Sequence, residues 1–147
     1  MSLDETDVKI MKLLSSDARL SYRKIGQNIG ISTNTVITRM SNLQNQGIIK
    51  YFTTVYDHEK LGYDIAAIIE LTISKGKLIE VEKEIAKSRN VLAVYDVTGT
   101  TDAMVLAKFK TRKELNRFIK EILNMEYVER TNTRVVLNTI KEDFRLL

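Results

Sequence analysis

The sequence predicts an α+β chain of two parts, and three observations predict it. Residues 18–56 contain no Asp and no Glu, and within that window Gly26, Gly30 and Val36 stand at helix-turn-helix spacing. Beyond residue 62 the apolar periodicity changes to a strand-helix-strand-strand-helix-strand succession, the ferredoxin-like βαββαβ arrangement. Between the two lies the polar run Asp57-His-Glu-Lys-Leu-Gly62. These features place a helix-turn-helix in residues 1–50, a linker strand and connector in 51–62, and a ferredoxin-like domain in 63–147.

The first part opens with a helix. Asp4 stands where an N-cap is needed, and Asp7 suits the positive end of the helix dipole. Ile10, Leu13 and Leu14 form its apolar stripe, with Lys9 and Lys12 facing out. Ser21 caps a second, short helix in which Tyr22, Ile25 and Ile29 recur at helical spacing. Gly26, without a side chain, permits a close helix crossing. Gly30 ends the second helix, because glycine accepts the left-handed backbone such an end requires. Ser32 caps a third helix running to about Gln46, where Gly47 stops it. Ile48 to Tyr56 is β-branched and aromatic without a breaker, and reads as a strand.

In the second part, Ile65–Ile73 reads as a strand and Gly76–Ser88 as a helix with Leu78, Val81 and Ile85 inward. Val91–Thr98 and Ala103–Phe109 are strands flanking Gly99-Thr-Thr-Asp102. Thr111-Arg-Lys-Glu114 is a capping box, whose Thr hydroxyl and Glu carboxylate satisfy opposed backbone amides. The helix it opens puts Leu115, Phe118, Ile119 and Ile122 on one face, and Arg130–Thr139 is the last strand. The strands carry apolar side chains on both faces: Ala67, Ile69 and Leu71 against Ala66 and Ile68, and Val105 and Phe109 against Met104 and Leu106. In Val91–Thr98, Ala93 and Val97 oppose Leu92 and Val94. Two helices cover only one face of a sheet, so the other needs a cover. The simplest cover is a second copy of the chain, sheet on sheet, making a homodimer. A helix from the first part is the alternative.

Composition bounds the function classes. An apolar fraction of 44% over 147 residues supports a folded core. The absence of Cys removes disulfides and thiol chemistry and fits a reducing, cytoplasmic setting. The acidic N-terminus does not read as a secretory signal, and no apolar run exceeds the five residues of Ile65–Ile69, far below the ~20 residues a membrane span needs. No membrane partner is expected. An enzyme needs a nucleophile–base pair, a metal cluster or a phosphate loop. The lone His58 falls in the connector, no Walker or Rossmann glycine pattern occurs, and Glu80, Glu82 and Glu84 read as solvated helix charge. The expectation is therefore no enzyme, no cofactor and no metal.

The charge points elsewhere. Residues 1–56 carry 7 basic and 4 acidic side chains, residues 57–147 carry 16 and 15, so most of the +4 net charge lies in the first third. An acid-free, mildly basic helix-turn-helix suits double-stranded DNA, because a carboxylate there would repel phosphate. On the third helix Val36, Met40 and Leu43 share the core face, and Asn34, Thr38, Ser41 and Asn45 lie opposite, with Thr35 and Asn42 beside them. Asn pairs with adenine, and Thr contacts a thymine methyl or a phosphate. Ser32 caps the helix, and the free N–H groups there, Thr33 included, suit a phosphate. Arg23 and Lys24 open the helix that crosses the backbone. Arg39, on the flank, either reaches a phosphate or turns inward to brace the domain. The candidate DNA contacts are thus Arg23, Lys24, Ser32, Thr33, Asn34, Thr35, Thr38, Arg39 and Asn42.

With these residues in place the chain resembles the Lrp/AsnC, or feast/famine, transcription regulators over nearly its whole length. The family's opening Leu-Asp-x-x-Asp-x-x-Ile is Leu3-Asp4-Glu-Thr-Asp7-Val-Lys-Ile10, and its Arg-x-Ser is Arg19-Leu20-Ser21. Its Gly-Ile/Leu-Ser…Val-x-x-Arg…Leu-x-x-x-Gly-Ile-Ile is Gly30-Ile31-Ser32…Val36-Ile-Thr-Arg39…Leu43-Gln-Asn-Gln-Gly47-Ile48-Ile49. Its Val-Thr-Gly-x-x-Asp is Val97-Thr98-Gly99-Thr-Thr-Asp102. The closing pattern is Val128-Glu-Arg130-Thr131-Asn-Thr133-Arg-Val135-Val136-Leu137.

The resemblance implies an N-terminal DNA-binding domain and a C-terminal domain that dimerises and often builds octamers. It also implies a small effector, usually an amino acid, bound between dimers near Gly99, Thr100, Thr101 and Asp102, with Thr131 and Thr133 nearby. A carboxylate such as Asp102 accepts an ammonium group, and loop N–H groups hold a carboxylate. The bland alternative is a tight strand-strand turn, with Gly99 there for its positive φ and Asp102 bonding local backbone. The chain departs from the family in three places: no Lys or Arg just after Arg39, His58 where Pro is common, and Lys24 where an acid is common. The expected function is a sequence-specific DNA-binding transcriptional regulator modulated by such an effector. The alternative is an effector-binding or oligomerisation protein without specific DNA binding.

Overall fold

The computed structural model of the chain describes residues 3–74 and 76–147, so the first two residues of the expected 1–50 domain lie outside the described residues. The described residues up to Val55 join with Glu142–Leu147 in one unit, and Tyr56–Lys141 form the other. The chain's last six residues thus sit with the helix-turn-helix, where the sequence alone assigned them to the second domain.

The first unit contains α1 (Glu5–Ser16), α2 (Tyr22–Ile29) and α3 (Thr33–Asn45). A capping box starts α1: the Asp7 N–H donates to Asp4 Oδ1 at 2.9 Å and the Asp4 N–H to Asp7 Oδ2 at 3.2 Å. Ser21 and Ser32 cap α2 and α3 by accepting from the N–H groups of Lys24 (3.2 Å) and Thr35 (3.1 Å). Gly30, at φ +75°, ends α2 in the left-handed region. Ile10, Met11, Ile25, Val36, Met40 and Leu43 make the buried core of the three helices. Gly26 is buried in α2, and a Cβ there would stand 2.6 Å from the Ile31 carbonyl oxygen. The close approach the sequence suggested is therefore to the backbone of the turn between α2 and α3.

Residues 51–57 form no strand. Tyr51, Phe52, Val55 and Tyr56 have the composition of one but are exposed. A strand exists only where a neighbour accepts and donates its backbone hydrogen bonds, and none of the described residues does so here.

The second unit runs β1 (Ile65–Ile73), α4 (Leu78–Ile85), β2 (Val91–Asp96), β3 (Ala103–Phe109), α5 (Arg112–Leu123) and β4 (Val128–Val135). Helix and strand ends differ from the sequence reading by up to four residues. The strands make one antiparallel sheet in the order β2-β3-β1-β4. This is the ferredoxin-like order. Thr111 caps α5 by accepting from the Glu114 N–H, and the Glu114 carboxylate accepts from the Lys110 N–H at 2.9 Å. The core lies between sheet and helices, where Ile69, Leu71, Val105 and Phe109 meet Val81, Ile85, Leu115, Phe118 and Ile122.

The other sheet face is mixed. Ala66 and Ile68 of β1 and Met104 and Leu106 of β3 are half-buried there. Tyr95 of β2 faces Met104 in register and is about half exposed. Along β4 the same face is polar: Glu70 accepts from Arg134 and Asn132, each at 2.7 Å. A register shift between Val91 and Ala93 puts Val94 opposite Val105 in the core and leaves Leu92 exposed. Strict alternation had placed Leu92 and Val94 together.

One further expectation fails on α4. Glu80 and Glu84 are surface charges bonded to Lys77 and Lys87, but Glu82 buries Oε1 with no hydrogen-bond partner among the described residues. Burial, then the charge of Asp96, pushes its carboxyl above the usual carboxylate range.

Candidate nucleic-acid interface and effector loop

The outer side of α3 follows directly from its core. With Val36, Met40 and Leu43 inward, Thr33, Asn34, Thr35, Thr38, Ser41, Asn42 and Asn45 are all exposed. Thr38 donates to the Asn34 carbonyl at 3.1 Å, and the Thr35 hydroxyl meets that of Ser32 at 2.8 Å. These hydroxyls are partly engaged by the helix itself. The side-chain amides of Asn34 and Asn42 make no hydrogen bond among the described residues and are available to a base edge. Arg23 and Lys24 are exposed at the start of α2, and neither forms an ion pair among the described residues. Tyr22, placed on the apolar stripe by its spacing, is 38% exposed beside them.

Arg39 resolves toward bracing. Its Nη1 bonds Asp4 and also Asp7 at 3.1 Å, tying α3 to the N-terminus of α1. Hydrogen bonding to Asp4 first, then to Asp7, raises the guanidinium above its ordinary value. The Asp4 carboxyl is held below its ordinary value, first by the Asp7 backbone N–H and then by Arg39. A cation facing two carboxylates offers no net attraction to phosphate. Helical spacing puts Arg39 on the flank of α3, which suits a DNA contact, but does not give its partners, which are Asp4 and Asp7.

Ile37 went unnoticed in the sequence. It lies on α3 with 46% of its surface exposed, an apolar group beside polar neighbours. Apolar side chains in that setting suit a thymine methyl. Its only sequence signal was an apolar residue off the Val36-Met40-Leu43 stripe.

In the second unit, Gly99–Asp102 joins β2 to β3. Gly99 takes φ +125°, a backbone that favours glycine. Asp102 is tied down at three points: its N–H donates to the Leu71 carbonyl (2.9 Å), its carbonyl accepts from Val97 (3.0 Å), and Oδ2 accepts from the Ile73 N–H (2.8 Å). The carboxylate thus finishes the end of β1, 29 residues away in sequence, where the turn alternative expected a bond to local backbone. Gly99 and Thr100 are exposed, and Thr101 and Asp102 are half-buried. Thr131 pairs with Leu71 and Thr133 with Ile69, on the far side of β1 from the loop. Two strand spacings, about 10 Å, separate them from Asp102. The fold brings loop and threonines to the same stretch of β1 without making one tight cluster.

No group of three or more His, Asp or Glu among the described residues could hold a metal ion. No helix among them is long and apolar enough to cross a membrane.

A helix-turn-helix with an acid-free outer helix, followed by a ferredoxin-like domain, defines a class: DNA-binding regulators with a separate ligand-binding domain. Comparison with known proteins agrees. Residues 3–50 match the winged helix-turn-helix DNA-binding family, and residues 66–146 match the Lrp/AsnC ligand binding domain. An uncharacterized HTH-type transcriptional regulator of Pyrococcus furiosus is 44% identical over 146 residues, covering 99% of both chains. The HTH-type transcriptional regulator FL11 of Pyrococcus horikoshii is 38% identical, covering 98% of this chain and 95% of its own. The crystal structure of a Neisseria meningitidis transcriptional regulator in complex with L-Met superposes with a TM-score of 0.89 at 25% identity, over 99% of this chain and 97% of that one. The chain belongs to the Lrp/AsnC family. It is a helix-turn-helix DNA-binding transcriptional regulator with a ligand-binding domain, and not an enzyme.

Proposed function

We propose that this regulator reads DNA through Asn34, Thr38 and Asn42, anchors on phosphate through Arg23, Lys24 and the α3 N-terminus at Ser32–Thr35, and answers to an amino acid. The free Asn34 and Asn42 amides on an exposed, acid-free helix face carry this reading. Residues 1–50 serve as the DNA-binding part, with 142–147 beside them, and 63–141 as the effector part, joined through 51–62. The effector site comprises Gly99–Asp102, with Thr131 and Thr133 across β1. The L-Met complex of the Neisseria relative supports an amino acid as the ligand class.

Two chains pair across the mixed sheet face and present two α3 helices to half-sites about one DNA turn apart. Such dimers assemble further to octamers in the cytoplasm. Effector bound between dimers changes that assembly and so the affinity for DNA, and by reciprocity DNA changes the affinity for effector.

Band-shift titration against the DNA upstream of the protein's own gene tests the reading. Retardation at low salt is expected, with a footprint that blurs in N34A/T38A. No retardation at low salt would sink it, and an unchanged footprint in the double variant would remove those two residues from base reading.

A further inference from the structure

The second unit carries a charged face that neither the helix-turn-helix nor the effector loop uses. On α5, Leu115, Phe118, Ile119 and Ile122 turn to the sheet. At 3.6 residues per turn, Arg112, Lys113, Arg117 and Lys120 fall within an arc of about 140° on the opposite side. All four are exposed, and none makes an ion pair among the described residues. The two acids of this helix offset only part of that charge and leave α5 with two more basic than acidic side chains. Glu114 is engaged in the cap with the Lys110 N–H, and Glu121 sits at the rim of the arc. The other helix of the unit behaves differently: on α4, Glu80 pairs with Lys77 and Glu84 with Lys87. Unneutralised positive charge is therefore concentrated on α5, in a unit that is nearly neutral as a whole.

We infer that the outer face of α5 is a second DNA-backbone contact, engaging duplex that flanks the site held by the helix-turn-helix. Arg112 to Lys120 spans about 12 Å along the helix, a length of duplex axis that carries about seven phosphate charges. Four mobile cations facing that array attract it without reading sequence. The face offers no central apolar residue to insert into a lipid surface, and Leu123 stands only at its end. Connectivity favours DNA over an acidic protein. The chain's own helix-turn-helix, tethered through a short connector, holds DNA at an effective concentration in the millimolar range for the second unit. The inference rests on the DNA-binding function proposed above.

The test compares full-length protein with R112Q/K113Q/R117Q/K120Q, substitutions that leave the Thr111–Glu114 cap and the α5 core untouched. Each binds a duplex limited to two half-sites, about 20 base pairs, and a duplex extended by three turns on either side. Salt titration gives the slope of log K against log salt. The unaltered protein is expected to bind the long duplex more tightly and with a steeper slope. The variant keeps its affinity for the short duplex, but on the long one its slope falls by up to about 3.6 per engaged chain. Equal slopes for both proteins on the long duplex would overturn the inference alone. Failure of the unaltered protein to bind either duplex would overturn the DNA-binding reading and this one with it. A variant that changes oligomeric size in gel filtration would reassign the face to contact between copies, which also overturns it.

Discussion

Gly26→Ala sets two effects of similar size against each other. Gly26 lies inside α2, where alanine is favoured over glycine by about 1 kcal/mol on propensity. Helix propensity alone therefore predicts stabilisation. Against it stands the contact: the added Cβ would fall 2.6 Å from the Ile31 carbonyl oxygen, closer than real Cβ atoms approach. That oxygen belongs to backbone, so relief requires moving the α2–α3 turn. The turn is pinned by the Ile31 N–H, which donates to the Gly26 carbonyl at 3.0 Å, and by the Ser32 cap. Overpacking of this kind costs about 1–3 kcal/mol or somewhat more. Taking its upper half against the propensity gain, the variant loses about 1–2 kcal/mol. For a small domain that lowers the midpoint of melting by roughly 5–15 °C. Calorimetry of the full chain reads this directly, and DNA affinity should fall with it because α3 is displaced. An unchanged or raised midpoint would refute the steric argument and leave propensity as the larger effect.

Removing the Arg39 brace with R39A should lower stability modestly, since water screens ion pairs at the surface, while leaving the salt slope of DNA binding unchanged. A shallower slope would return Arg39 to the phosphate contacts. The Asp4 carboxyl is lowered in the folded chain, so its contribution is complete above the unfolded value near 3.9 and is lost as pH falls through the folded one. The unfolding midpoint followed below about pH 4 should therefore drop less steeply in D4N than in the unaltered protein. At the Gly99–Asp102 loop, D102A leaves the Ile73 N–H without its 2.8 Å partner and should cost about 1–3 kcal/mol in urea unfolding, whereas D102N keeps an acceptor and should cost less. Deleting Glu142–Leu147 removes the bond from Arg145 to the Ser15 carbonyl (3.2 Å) and should lower the urea midpoint of the helix-turn-helix unit; an unchanged midpoint would show the tail contributes nothing there.

Local chemistry was legible in the sequence, and non-local partnership was not. Ser21, Ser32 and Thr111 cap helices as their positions require, because a cap acts on the next turn of its own helix. Apolar spacing gave the faces of α3 and α5 for the same reason. Arg39 could not be settled, because its partners, Asp4 and Asp7, are 35 and 32 residues away. Asp102 is similar: its partner Ile73 lies in another strand, 29 residues away, so a loop motif concealed a structural bond. Residues 48–56 fail as a strand for the converse reason, since composition states a preference and pairing needs a neighbour. Leu92 was misplaced because alternation assumes an unbroken register, and β2 carries a shift.

The reassignment of Arg39 changes how the DNA-binding surface works. The acid-free window holds Arg19, Arg23, Lys24, Arg39 and Lys50. With Arg39 facing Asp4 and Asp7, α3 contributes no free positive charge. On the proposed reading, hydrogen bonding is then left to α3 and phosphate attraction to α2 and the flanks, chiefly Arg23 and Lys24. Two phosphate contacts correspond to a salt slope of only about −2 per helix-turn-helix, against about −5 to −9 for proteins making 6–10 contacts. A surface of that kind discriminates between sequences better than it holds them. Affinity must then be gained by adding surfaces: a second helix-turn-helix on a partner copy, or the four cations of α5 on the same chain. These two sources separate by salt. Pairing of copies multiplies the slope on a short site, whereas α5 steepens it only when flanking duplex is present.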